Sequence, residues 1–252
     1  MISIERVGRS ALLTLSRPPV NALNDELVGR LEAAFEQVSV DESITVLHIR
    51  SDQKAFCAGA DLSLMRSCFS SGGIDAMLDV VRRMQRIFER FEAAPILTIA
   101  EIGGAAVGGG LELALACDLR VAAAEAKLGL PEVTLGLLPG AGGTQRLTRL
   151  CGEAIAKRLI LGGEVVDGAE AQRLGIVQWS QPRAQLAAWT RELAARYAAL
   201  PRAALAACKS CITAQGDPAR NGFAEEISGT RALYEHPETR RLVSEFLDRS
   251  KA

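Results

Sequence analysis

Apolar positions repeat every second residue at the start of the chain and every third or fourth soon after. Ile2, Ile4 and Val7 alternate with polar neighbours and predict a strand over Ile2–Val7. A second strand is expected over 12–16, across a turn at Gly8-Arg9, before Pro18-Pro19 breaks the pattern. Leu27, Leu31, Phe35 and Val38 then fall at helical spacing, and a helix is expected to follow Asn24. The continuous run at 46–50 reads as a buried strand, and 51–61 reads as a loop carrying Gly59. The segment 62–73 is rich in Ser and Gly and is expected to be mobile.

A long amphipathic helix is expected over 74–93, and Pro95 precedes a strand running through Ile102. A glycine-rich turn leads into a helix at 111–116, followed by a strand at Leu119–Ala123. Strands thus alternate with helices through the first 150 residues or so, the pattern of stacked β-α units. From Thr144 onward the periodicity is helical. It is broken at Gly162-Gly163, Gly175, Pro182, Pro201, Gly216-Asp217-Pro218 and Pro237, and only Ile176-Val177 looks strand-like. The expectation is an α/β core over 1–180 and a helical C-terminal region over 181–252.

Composition narrows the function. Hydrophobic residues make up 48% and aromatics only 4%, so a sizeable core must be built from Ala, Leu, Val and Ile. The net charge of −1 argues against nucleic acid or a membrane surface as the main partner. Arg82, Arg83, Arg86 and Arg90 do cluster, but Glu89 and Glu92 interrupt them, which favours a solvated helix face. Cys57, Cys68, Cys117, Cys151, Cys208 and Cys211 suggest no disulfide framework. Cys208-Lys209-Ser210-Cys211 lies in an Ala-rich helical run, unlike a redox motif at a strand-to-helix turn. His48 and His236 are the only imidazoles, and no spacing resembles a metal site. With no leader pattern and no apolar run near the ~20 residues of a membrane span, a cytoplasmic location is expected.

Chemistry concentrates in two small-residue turns and two acids. In Phe56-Cys57-Ala58-Gly59-Ala60-Asp61 the backbone is open to close approach, and the Ala58 N–H is a candidate donor to a bound oxygen. Gly108-Gly109-Gly110 opens the helix that carries Glu112, and the Gly109 N–H is a second candidate donor. Two such loops at one edge of a β-α core can aim both N–H groups at one developing oxyanion. Glu112 lies in the apolar run Gly-Leu-Glu-Leu-Ala-Leu-Ala, where a charge is costly unless used or paired. Glu132 precedes another apolar, irregular stretch. Two acids in apolar settings suit acid–base work near neutral pH.

Taken with Leu130-Pro131-Glu132 and Leu138-Pro139-Gly140-Ala141-Gly142-Gly143-Thr144-Gln145-Arg146-Leu147, these motifs make the chain resemble the enoyl-CoA hydratase/isomerase (crotonase) family. The resemblance implies a spiral of β-β-α turns with a helical C-terminal trimerisation region, assembled as a homotrimer or a dimer of trimers. It implies a hydro-lyase of fatty-acid β-oxidation that adds water across the 2,3 double bond of a trans-2-enoyl-CoA. Glu112 and Glu132 match the two hydratase glutamates, and Ala58 and Gly109 would form the oxyanion hole for the thioester carbonyl. Ala60, Asp61, Leu62 and Gly140 would line the substrate, with 62–73 closing over the acyl chain. Arg17 and Arg249 are candidates to meet the coenzyme A phosphates. Coenzyme A is the substrate's handle, and neither a metal nor a redox cofactor is implied.

An acyl-CoA double-bond isomerase working mainly through Glu132 is the alternative enzyme. A crotonase-fold scaffold or RNA-binding relative is the non-enzymatic one. The sequence departs from the family where Gly103-Gly104 replaces Asn-Gly and where Glu101 occupies a strand position usually apolar. For Glu101 a strand-end surface position is expected.

Overall fold

The computed structural model describes residues 1–70 and 72–249; Ser71 of the 62–73 segment and residues 250–252 of the C-terminal region lie outside them. The chain opens with β1 (Ile2–Val7) and β2 (Ser10–Leu15), an antiparallel pair turning at Gly8. Helix α1 (Asp25–Ser39) starts where Asn24 accepts a bond from the Leu27 N–H at 2.9 Å. Its periodic residues Leu27, Leu31, Phe35 and Val38 are all buried.

From there each turn of chain lays one strand in a large sheet and one in a small sheet before a helix returns it. The first turn comprises β3 (Val46–Ser51), β4 (Ala55–Cys57), α2 (Leu62–Ser67) and α3 (Gly73–Ala93). The second comprises β5 (Leu97–Ile102), β6 (Ala105–Val107) and α4 (Gly109–Leu115). The third comprises β7 (Leu119–Ala123), β8 (Lys127–Gly129), a 3-10 turn (Pro131–Leu135), α5 (Gly143–Cys151) and α6 (Glu153–Leu161). Then come β9 (Val165–Asp167), α7 (Gly168–Arg173) and β10 (Trp179–Gln181). The large sheet runs β1-β2-β3-β5-β7-β10 and the small one β4-β6-β8-β9. Pairing is parallel from β2 through β10 and from β4 through β8, so the strands read as continuous apolar runs covered on both faces.

Four helices close the chain: α8 (Arg183–Ala198), α9 (Arg202–Ala214), α10 (Gly222–Glu235) and α11 (Pro237–Arg249). Helix α8 lies on the large sheet, touching β2, β3, β5, β7 and β10, whereas α10 packs between α9 and α11. Lys209 ties α9 to the core, donating to the Phe91 and Ile96 carbonyls and pairing with Asp118 at 2.9 Å.

Several expectations need correction. Ile176 and Val177 are buried but belong to no strand; the late strands are β9 and β10. Three residues each, with no alternation to read, these strands carry too little periodicity to be seen in sequence, as do β4, β6 and β8. Residues 62–67 of the 62–73 segment form a helix, which Asp61 just before it caps by accepting from the Ser63 N–H. Glu101 is not at the surface. It is 6% exposed and 3.0 Å from the buried His48. The basic cluster does behave as an ion-paired face, Arg82 meeting Asp79, Arg83 meeting Asp25 and Glu32, and Arg90 meeting Glu32 and Glu36.

Candidate active site

The two sheets bring the small-residue turns together. Gly59, at φ 85°, lies so close to the next strand's turn that a Cβ there would sit 3.0 Å from the Val107 carbonyl and 3.4 Å from the Gly109 nitrogen. A Cβ on Gly110 would fall 2.0 Å from the Cys57 carbonyl, so only glycine lets α4 begin against β4. The turn expected to hold one donor thus abuts the turn expected to hold the other.

The 56–61 loop is clamped from behind by Asn21, a fully buried residue that sequence reasoning missed. Its amide donates to Ser51 Oγ at 2.7 Å and to the Phe56 carbonyl at 3.0 Å, and its Oδ1 accepts from the Arg17 N–H at 2.7 Å. Among the described residues Asn21 is also the one non-glycine residue at positive φ, 52°, which Asn tolerates better than most residues. The Pro18-Pro19 break hinted at a special turn, but nothing local marks Asn21 as its keystone.

The same clamp alters the donor assignment. The Ala58 N–H is spent on the Val20 carbonyl at 3.0 Å, so it is not free for a ligand. Leu23 straddles the next residues, its N–H donating to the Gly59 carbonyl and its carbonyl accepting from the Asp61 N–H. The Ala60 N–H between them has no partner among the described residues, and neither has that of Gly109. The open pair is therefore Ala60 and Gly109.

Glu112, only 2% exposed, points back from α4 toward this junction. Its Oε1 accepts the Ala141 and Gly143 N–H groups, both at 2.8 Å. Its Oε2 lies 3.8 Å from where a Gly109 Cβ would be. Glu132 approaches from the other side: its Oε1 is 2.9 Å from the equivalent point on Gly108. Its Oε2 is buried with no hydrogen-bond partner among the described residues. Burial pushes the Glu112 carboxyl up to about 7, with the Glu132 charge adding to the rise and the Gly143 and Ala141 N–H groups opposing it. Burial also raises Glu132.

The remaining candidates take various places. Arg17 and Asp61 meet each other, Nη2 to Oδ2 at 2.6 Å, and Arg17 also donates to the Ala22 carbonyl. Ser63 above all, with Arg17 and against some burial, holds Asp61 down at about 2. Both therefore fasten the loop at its exit. Leu62 is exposed at the start of α2. Gly140 gives its carbonyl to Gln85 at 2.7 Å and faces Val81 of α3. Arg249 lies apart from this cluster in fold order, exposed in the last turn of α11, with its Nε on the Glu245 carbonyl. A cavity of about 240 Å³ lies elsewhere, between α4, α5 and α9, and includes neither glutamate. Among the described residues no group of His, Cys, Asp and Glu could hold a metal ion, and no helix is long and apolar enough to cross a membrane.

Known proteins are similar to this chain in sequence and in fold. A Bacillus subtilis (strain 168) protein named "Probable enoyl-CoA hydratase" is 42% identical over 189 residues, 75% of this chain and 72% of that protein. The 2,3-dehydroadipyl-CoA hydratase of Escherichia coli (strain K12) is 36% identical over 248 residues, 98% of this chain and 95% of that enzyme. The solved structure of Pseudomonas aeruginosa DspI superposes with a TM-score of 0.90 at 36% identity, covering 98% of this chain and 94% of that one. The sequence model described as enoyl-CoA hydratase/isomerase matches residues 8–252, and the chain belongs to that family.

Proposed function

We propose that the protein is an enoyl-CoA hydratase, adding water to a trans-2-enoyl-CoA to give the 3-hydroxyacyl-CoA. The observation that carries this is the convergence of two carboxylates on one glycine turn, Glu132 against Gly108 and Glu112 against Gly109, beside two open N–H groups. A single acid can move a proton along a chain. Holding and splitting a water molecule while protonating a neighbouring carbon calls for two.

The unlike surroundings of the acids divide their work. Two N–H bonds stabilise Glu112 as a carboxylate, while the orphaned Oε2 of Glu132 is better tolerated with a proton on it. This contrast supports a pair that shares one proton, carried by Glu132 once Glu112 is ionised. Glu112 takes a proton from water as the oxygen bonds to C3. The C2–C3 π electrons move toward the thioester, and charge develops on its oxygen. The Ala60 and Gly109 N–H groups hold that charge, an interaction worth several kcal/mol, ~3–4 for one well-placed donor. Glu132 then delivers its proton to C2, and transfer from Glu112 back to Glu132 resets the site.

Apolar side chains left exposed on the C-terminal helices, such as Ile212, Phe223 and Ile227, support assembly as a homotrimer or dimer of trimers. Six free thiols suit a reducing, cytoplasmic setting. The test is incubation with crotonyl-CoA and longer trans-2-enoyl-CoAs, read by mass spectrometry for the gain of one water. Glu112→Gln and Glu132→Gln should each lose orders of magnitude in rate. Undiminished hydration by both variants, or conversion of a 3-enoyl-CoA to a 2-enoyl-CoA without hydration of the latter, would overturn the proposal.

A further inference from the structure

The two N–H groups that fix Glu112 belong to a short turn, Ala141-Gly142-Gly143, and something must hold that turn. The holder is a buried arginine on the helix that follows. Arg146, 5% exposed, donates from Nη1 to the Ala141 carbonyl at 2.9 Å. Its backbone N–H bonds the Gly142 carbonyl at 2.9 Å. Gly142 sits at φ 102°, and a Cβ there would come 2.1 Å from Arg146 Nη1, so the turn closes around the guanidinium only with glycine in the middle. The far side of the guanidinium meets Glu92 of α3, from Nε at 3.0 Å and Nη2 at 2.6 Å, and Phe88 lies under it at 5.9 Å. A fork with one prong on a carbonyl and two bonds to a carboxylate is a geometry lysine cannot reproduce.

We propose that Arg146, anchored by Glu92, is a positioning residue for Glu112. It clamps the turn whose N–H groups hold Oε1, and so leaves Oε2 directed at the Gly109 side. The clamp links α3, through Glu92, to the carboxylate on α4, although neither Arg146 nor Glu92 bonds Glu112 directly. The charged groups that bear on Glu112 include Glu132 from the 3-10 turn and Arg146 from α5, and the Cys57 side chain of β4 lies against Gly110, two residues before it. Burial pushes that thiol up to about 12, so it stays neutral. Arg149, also on α5, lies beyond Glu92 at 3.4 Å. Arg146 is therefore a cation that bears on Glu112's protonation, opposing burial and the Glu132 charge.

This inference rests on the proposed hydratase role of Glu112, and its test has a readout that needs no turnover. Protein labelled with ¹³C at the glutamate side-chain carboxyls is titrated by NMR, and the Glu112 signal is identified by its loss in Glu112→Gln. In Arg146→Met the Glu112 midpoint should lie higher, because a cation that favours its carboxylate is lost. Arg146→Lys should fall between that and wild type. Glu92→Gln keeps an oxygen for Arg146 but leaves its charge unopposed, so the midpoint should drop. Opposite movements from two partners of one ion pair cannot come from a generally loosened fold.

The pH profile of crotonyl-CoA hydration should shift with the titration, with kcat reduced and KM little changed. A Glu112 signal that titrates as in wild type in both Arg146→Met and Glu92→Gln overturns the proposal. If Arg146→Met does not fold, Glu92→Gln alone decides. Failure of the wild-type protein to hydrate any enoyl-CoA would remove the proposed activity and leave the titration to judge the clamp.

Discussion

Gly108 and Glu132 are in contact at the centre of the site: a Cβ on Gly108 would stand 2.9 Å from Glu132 Oε1. Gly108 also adopts φ 53° and ψ −129°, a backbone conformation that strains any residue with a side chain. Gly108→Ala should therefore do two separable things. It should lower Tm through backbone strain, and it should push the Glu132 carboxylate away from the position proposed for proton delivery. Displacing a reacting group by about 1 Å costs on the order of 10²-fold in rate, so kcat for hydration should fall by about that factor. A variant with lowered Tm and unchanged kcat would show that the contact is only structural.

Glu112 gives the protein a pH-dependent stability whose sign can be worked out. Its folded value, about 7, lies above its ordinary 4.5, so the native state binds this proton more tightly than the unfolded state does. The stability it contributes as a neutral acid is fully present below pH 4.5 and is lost as pH rises toward 7. Burying the ionised form costs about 3 kcal/mol by this shift. Glu112→Gln should consequently be more stable than wild type at pH 8, with the difference closing below pH 4.5. Denaturant midpoints across that range check it. A constant difference at all pH values would mean that Glu112 keeps an ordinary titration in the folded chain.

How much of this was visible in the chain depends on whether a feature is local. The helix following Asn24, its buried stripe and the strand at Leu119–Ala123 were legible because spacing alone defines them. Glu112 and Glu132 were legible because a carboxylate in an apolar run is expensive. The donor on the first loop was misassigned because Ala58 and Ala60 look alike in sequence. Only the return of Val20, 38 residues earlier in the chain, decides which of their N–H groups is free. Glu101 was misread for a similar reason: its partner His48 is 53 residues away, on a neighbouring strand. Arg146 stood in a recognised motif, yet its work on the Ala141 carbonyl appears only when the turn has closed.

The corrected donor assignment can be tested by replacing single peptide bonds with esters, which removes one N–H and leaves the side chain alone. An ester at residue 60 deletes the unpartnered N–H and should lower kcat by roughly 10²–10³-fold, as loss of one oxyanion donor does. Tm should fall only slightly, because the Leu23 N–H bond to the Gly59 carbonyl is weakened and none is lost. An ester at residue 58 deletes the bond to Val20 instead and should lower Tm by an amount corresponding to about 1 kcal/mol. Loss of rate at 58 without loss of Tm, and a silent ester at 60, would restore the original assignment.

The His48–Glu101 pair lies inside the large sheet, 2% and 6% exposed, on adjacent parallel strands under the region covered by α8. Removing one partner leaves a buried polar group without its bond, which costs about 1–3 kcal/mol. Removing both leaves an apolar interior with nothing unsatisfied. His48→Leu and Glu101→Leu should each destabilise the chain, and the double variant should be clearly more stable than the sum of the two losses predicts. Urea denaturation of the four proteins in the cycle measures this coupling directly. Hydration kinetics in the same set should stay close to wild type, because neither residue reaches the Gly108–Gly109 turn through any bond described above. Additive losses would mean that the 3.0 Å contact carries no coupling, and that each residue is held in place by its other neighbours.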